Sequence, residues 1–218
     1  MLAWENSSPK GNLRAVLSVI FNSDLFRSQT ANAQKVKTPF EYVTSAVRAL
    51  RASTNGGTGI TASTDGYSAA SPLSRMGGMN LFDRDAPDGY PEAGANWVSA
   101  GTLVERIRYI QSLLANSSSL TDAGNNKSDP VGLMKAKLPS LSWGNAGDVT
   151  DYFLGILYPA EGAANLKLYR DAGINFLNTA DDGIAASPFS TGLSSTIYDT
   201  RVRGLVSMLM TLPRFQEQ

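Results

Sequence analysis

Residues 38–51, TPFEYVTSAVRALR, decide the fold. Thr38 is placed to cap a helix, and Pro39 takes the first helical position, where a missing N–H leaves nothing unpaired. Glu41 stands three residues after the cap and completes a capping box. The spacing predicts a helix from Pro39 to about Arg51, with Phe40, Val43, Val47 and Leu50 on its inner face. Arg48 and Arg51 fall in its last turn, where the helix dipole favours cations.

The same signals recur on both sides. Upstream, Asn12 is positioned to cap NLRAVLSVIFN (12–22), whose Leu13, Val16, Leu17 and Ile20 form an apolar stripe. Ser23 caps a short turn in which Leu25 and Phe26 are expected to be buried. Downstream, Ser99 caps a long helix to about Asn116, with Leu103, Ile107, Ile110 and Leu114 inward and Glu105 and Arg108 paired outside. Further helices are expected from Asp148 to Tyr158, from Pro159 to Leu177 and from Thr196 to Leu212. No run alternates in strand fashion and no segment repeats. The expectation is an all-α, irregular multi-helix single domain over 1–218, with little or no β-structure. Flexible Gly/Ser/Pro-rich loops are expected at about 52–71, 117–130 and 178–195. Structureless stretches of that length are uncommon in compact domains and point to function or to a packing partner.

Composition removes whole classes of chemistry. The 218 residues include no Cys and no His, and 19 basic residues balance 19 acidic ones. Without Cys there is no thiolate nucleophile, disulfide or thiolate metal site. Without His there is no Ser-His-Asp couple within the chain, and zinc and haem lose their usual ligands. Acid–base work falls to Asp, Glu, Lys or Tyr, and a metal would be a hard cation on oxygen. No cofactor is expected. The zero net charge argues against a nucleic-acid partner. No window is long and apolar enough for a membrane span. MLAWENSSPKGNLRAVLSVIF has no positive segment ahead of an apolar core and does not read as a signal peptide.

Four groups of residues, in order along the chain, carry a family resemblance. They are Lys35, Lys37, Pro39 and Glu41; then Leu81, Phe82, Pro87, Gly89, Tyr90 and Pro91; then Trp97, Val98, Ser99, Leu103 and Arg106; and finally Leu212, Pro213, Phe215 and Gln216. The ordered set resembles the C-terminal half of the bacterial family catalogued as domain of unknown function 1800. The resemblance implies a mostly helical exported protein, periplasmic or extracellular. Members are usually longer, so this chain is expected to be the C-terminal part of one, with its own N-terminal half as a partner. Members also often sit beside an exported sulfatase-related protein, which the resemblance implies as the alternative partner. The resemblance implies no reaction.

The candidate binding residues are Asp83, Asp85, Asp88, Tyr90, Glu92 and Trp97. Three Asp and one Glu within ten residues could hold Ca²⁺, but the EF-hand pattern fails at Pro87 and Gly89. Turn chemistry explains the same residues without a metal. Tyr90 and Trp97 could stack on a sugar ring; aromatics in such a loop more often anchor it to a core. Lys35, Lys37, Arg48 and Arg51 read as a solvated basic face, and Asp181-Asp182-Gly183 as a turn. The leading functional expectation is a non-catalytic binding or scaffold module. The alternative is a hydrolase-like enzyme acting on an extracellular polymer through Asp83, Asp85, Asp88 and Glu92, with further catalytic residues in the missing half.

Overall fold

The computed structural model describes residues 2–28, 35–52, 72–80, 82–84, 86–91, 93–115, 122–123, 126–159 and 161–217. The expected loop at 53–71, part of that at 117–130, and the site residues Asp85 and Glu92 lie outside these. The architecture is all-α. Besides a short helical turn at 72–75, the described α-helices are α1 (Leu2–Glu5), α2 (Leu13–Phe21), α3 (Asp24–Arg27), α4 (Pro39–Ala49), α5 (Ala100–Leu114), α6 (Pro130–Lys135), α7 (Ala146–Leu157), α8 (Ala163–Leu177) and α9 (Ser195–Thr211). Short 3-10 turns occupy Gly94–Trp97, Ser140–Ser142 and Pro213–Gln216. Among the described residues there is no strand; isolated bridges join Val36 to Glu217 and Thr179 to Ala186. No described helix is long and apolar enough to cross a membrane.

The chain divides into two compact units, residues 1–34 with Gln218 and residues 35–217. In the first, Asn12 and Ser23 cap α2 and α3 as their positions predict. The expected burial fails, however. Leu25 and Phe26 are 77% and 53% exposed, and Leu13, Leu17 and Ile20 of the α2 stripe are exposed as well. Phe26 meets Phe21 edge to face. Three short helices hold too little chain to enclose a core of their own, since units below about 40 residues rarely do.

In the second unit, α4 has the capping box and the first-turn proline that its sequence demands. Its inner face is Tyr42, Val43, Ala46, Val47 and Leu50, while Phe40 is exposed. Phe40 lies roughly a quarter turn from the centre of that stripe, by the 3.6-residue period. Helix α9 is the hub. Val202, Leu205, Val206, Leu209 and Met210 are all fully buried, and α9 packs on α5, α6, α7 and α8. Two glycines set the closest crossings. A Cβ on Gly173 of α8 would lie 2.7 Å from Thr150 Cγ2 of α7, and one on Gly204 of α9 would lie 2.6 Å from the Phe176 ring of α8. Helices that approach this closely leave no room for even a methyl group.

Several helix starts differ from expectation. Asn145, not Asp148, caps α7, with its side-chain oxygen accepting from Gly147 N and Asp148 N. Helix α8 begins at Ala163, after Gly162, rather than at Pro159. Asp129 caps the short helix α6, with Pro130 at its first position. Within the stretch 117–130, Ala123, Asn126 and Ser128 are buried, and the Ser128 hydroxyl donates to Leu50 O at 2.7 Å. Within 178–195, Phe189 is buried and its N–H donates to the Asn178 side chain at 2.9 Å. Asp182 accepts from Ile184 N and Ala185 N, which forms the turn expected there and holds its carboxyl below the usual range.

Candidate functional site

Two polar clusters stand out in the second unit. The first is a buried knot around Arg106 of α5, a residue with no exposed surface. The helix is placed by a Ser99–Thr102 capping box, and its inward stripe is Arg106, Tyr109, Ile110, Leu113 and Leu114, with Ile107 partly exposed. Arg106 Nη1 donates to Gln216 Oε1 at 2.9 Å, and Nη2 donates to Lys37 O at 2.7 Å and to Trp97 O at 3.4 Å. Its guanidinium lies 4.9 Å from the Tyr42 ring. All of these acceptors are uncharged. Arg106 Nε and the buried Tyr109 hydroxyl have no hydrogen-bond partner among the described residues. Burial pushes the Arg106 pKa down from its ordinary value.

Lys37 closes the knot. Its N–H donates to Gln216 O at 2.7 Å, and its ammonium donates to Phe215 O at 2.8 Å while lying 4.0 Å from the Phe215 ring. Lys37 is only 7% exposed, so it is not part of a solvated basic face. Desolvation, with Arg106 nearby, pushes its pKa down to about 8. Lys35 does stay at the surface, paired with Glu41. Tyr42 meets Phe215 edge to face at 5.6 Å. The knot thus joins three segments far apart in sequence: 37–42, 97–106 and 215–216.

The second cluster lines a pocket of about 570 Å³ between α6, the loop at Thr191 and Leu193, and the first half of α9. Arg203 is one of its lining residues. Its Nε donates to Asp199 Oδ2 at 2.8 Å, its Nη1 to Leu114 O and Ser128 O at 2.8 Å, and its Nη2 lies 3.6 Å from Asp129 Oδ1. Lys135 is different. Its ammonium lies 5.1 Å from the Tyr198 ring and 5.2 Å from the Trp143 ring, and no carboxylate of the described residues is within ion-pair distance. Tyr198 is held by a 2.7 Å bond to Trp143 O and by stacking on Phe189. A wider recess of about 740 Å³ shares Thr191, but its main polar group, the Asn145 side chain, is occupied in capping α7.

A family profile described as a protein of unknown function (DUF1800) matches residues 2–217. The chain belongs to the DUF1800 family. No curated protein and no solved structure matched it. The resemblance read from four short motifs is therefore correct as to family, and three of those motifs supply the knot.

The remaining motif, second along the chain, is the acidic loop of this DUF1800 chain. Asp83 is exposed, and Asp88, also exposed, lies 3.6 Å from Arg84. Asp85 and Glu92 are outside the described residues. Tyr90 is half-buried, and its hydroxyl donates to Asn80 O at 2.6 Å and accepts from Asn80 N at 2.9 Å. Trp97 is 2% exposed, and its indole N–H donates to Pro91 O at 2.8 Å. Both aromatics tie the loop to its own ends, and a buried Trp97 presents no ring face to a ligand. Phe82, by contrast, is fully exposed, against the expectation that aromatics in this loop pack inward. The loop brings Tyr90 and Trp97 together, with ring centroids 6.1 Å apart. Of its four acids, Asp83 and Asp88 are described, and both are exposed.

The pocket residues were not found by reading the sequence. Asp129-Pro130 and the four-residue spacing of Asp199 and Arg203 were visible there. Nothing in the spacing connects α6 to α9 across some 60 residues of chain, so their meeting is a tertiary fact.

Proposed function

We propose that this DUF1800 chain is a non-catalytic binding module on a helical scaffold, within an exported bacterial protein. One observation carries the reading. Of the residues that make the family recognisable, Lys37, Trp97, Arg106, Phe215 and Gln216 are buried, and their polar groups bond mainly to backbone carbonyls and to one another. Residues used this way hold a frame together. They are not placed to reach a substrate, because a group in general acid–base catalysis must come within hydrogen-bond reach of the reacting atom. The α6–α9 pocket lies elsewhere in the same unit, and its volume falls in the 300–1,000 Å³ range usual for small-molecule sites.

Two measurements on the full chain test the reading. Fractionation of the source cells is expected to find the protein outside the cytoplasm; recovery in the cytoplasm would contradict export. Thermal unfolding of Arg106→Met is expected to show a large loss of stability. An Arg106→Met protein that melts like the parent would remove the scaffold role from the residue on which it rests.

A further inference from the structure

We infer that the α6–α9 pocket binds an acidic sugar, with the sugar carboxylate at Lys135 and its hydroxyls at the Asp129–Asp199–Arg203 end. This rests on reading the chain as a binding module and names the ligand class. The argument starts from how charge is laid out along the pocket. Asp129 caps the start of α6 and Lys135 is its last residue, which separates them by roughly 9 Å at 1.5 Å per residue. Arg203 lies beside Asp129, and Tyr198, one and a half turns earlier in α9, lies beside Lys135. The two helices therefore run antiparallel along the pocket, with a cation at one end and a carboxylate–guanidinium group at the other.

The Lys135 end calls for an anion. Its ammonium is exposed, is held against two aromatic faces, and has no carboxylate partner among the described residues. Ser195 and Thr191 add hydroxyls to the lining. The other end calls for hydroxyls rather than a second charge. Asp129 Oδ1 already accepts from Gly132 N at 3.0 Å, and Asp199 Oδ2 from Arg203 Nε. Arg203 offsets one of their two negative charges. Asp129 keeps further carboxylate lone pairs, which are strong acceptors for O–H donors. Between the ends, Val131 and Leu193 supply an apolar strip suited to the C–H face of a ring. An α-amino acid carries its two charged groups on one carbon and cannot bridge the ends. A hexuronic acid sets its carboxylate and its far hydroxyls a ring-width apart.

The test is titration of the full chain, followed by calorimetry or NMR, with D-glucuronate, D-glucose and 6-aminohexanoate. Glucuronate is expected to bind at least about tenfold more tightly than glucose, the size of one charge-assisted hydrogen bond. Lys135→Gln is expected to reduce glucuronate to the level of glucose, and Lys135→Arg to keep most of the preference. A melting curve for each variant establishes that it is folded. Four results would overturn the inference: no glucuronate binding, equal binding of glucose, tighter binding of aminohexanoate, or an unchanged Lys135→Gln. Any of these, with the Arg106→Met melting loss intact, removes the ligand and leaves the scaffold. The converse pattern removes the scaffold and leaves the ligand.

Discussion

The Arg106 knot and the Lys135 pocket use similar side chains to opposite ends. Arg106 is sealed from water and gives its terminal nitrogens to Gln216, Lys37 and Trp97. Lys135 lies at the surface against two aromatic rings and gives its protons to nothing described. A buried cation without a carboxylate partner is costly, and it persists only where fixed dipoles replace its water. Removing it strands those dipoles. An exposed ammonium keeps its water and can exchange it for a ligand. The lesson is that the buried motif residues Lys37, Trp97, Arg106, Phe215 and Gln216 hold the frame, while the exposed Lys135 lies outside the motifs.

This contrast can be broken in a graded series. The largest effect is expected for Trp97→Ala, about 3–5 kcal/mol of stability by denaturant unfolding, as for other buried aromatics cut to alanine. An unchanged midpoint would return Trp97 to the list of ligand-facing residues. Arg106→Met follows at about 3 kcal/mol, because Lys37 O and Gln216 Oε1 lose a charged donor in a buried site.

Lys37 gives a smaller effect, read through pH. Its folded-state pKa is lowered to about 8 from 10.5. Between those values the unfolded chain binds more protons than the folded one, so stability rises with pH. The expected gain from pH 8 to about 9.5 is roughly 1–2 kcal/mol. Burial lowers the Lys127 pKa as well, and adds to the gain in the same direction. Above about pH 10 the trend should reverse. Buried Tyr42, Tyr109 and Tyr158 have raised folded-state pKa values, so the unfolded chain releases protons first. Lys37→Met should flatten the rise between pH 8 and about 9.5; a rise of the same size in that variant would assign it elsewhere. At the small end, Lys135→Gln should change stability by less than about 0.5 kcal/mol, as surface substitutions usually do. A larger loss would mean that Lys135 belongs to the frame after all.

How much of this was legible before the fold was known differs between the two clusters. The frame was legible where a signal is local. Thr38, Pro39 and Glu41 announce α4, and Asn12, Ser23 and Ser99 cap the helices expected of them, because capping bonds span only three residues. The inner faces were read less well. Counting only apolar residues placed Ile107 inside and left out Arg106 and Tyr109. The acceptors that let Arg106 be buried lie 9, 69 and 110 residues away. Lys37 failed for the same reason. In residues 1–34 apolarity predicted burial of Leu25 and Phe26, but a short unit offers no core to enter. The acidic loop drew attention as a site because its charges are dense in sequence. Density along the chain does not by itself state convergence in space; Asp83 and Asp88 stand at the surface, and Asp85 and Glu92 lie outside the described residues. The pocket needed α6 and α9 to be side by side, which no periodicity states.

The central claim is that the family's motif residues act together as one latch across the fold. A double-mutant cycle between Arg106→Met and Gln216→Leu tests it most directly. The two positions are 110 residues apart and joined by a 2.9 Å bond. A latch predicts a coupling energy of about 1–3 kcal/mol in denaturant unfolding. Additivity to within about 0.5 kcal/mol would contradict it, since independent sites behave that way.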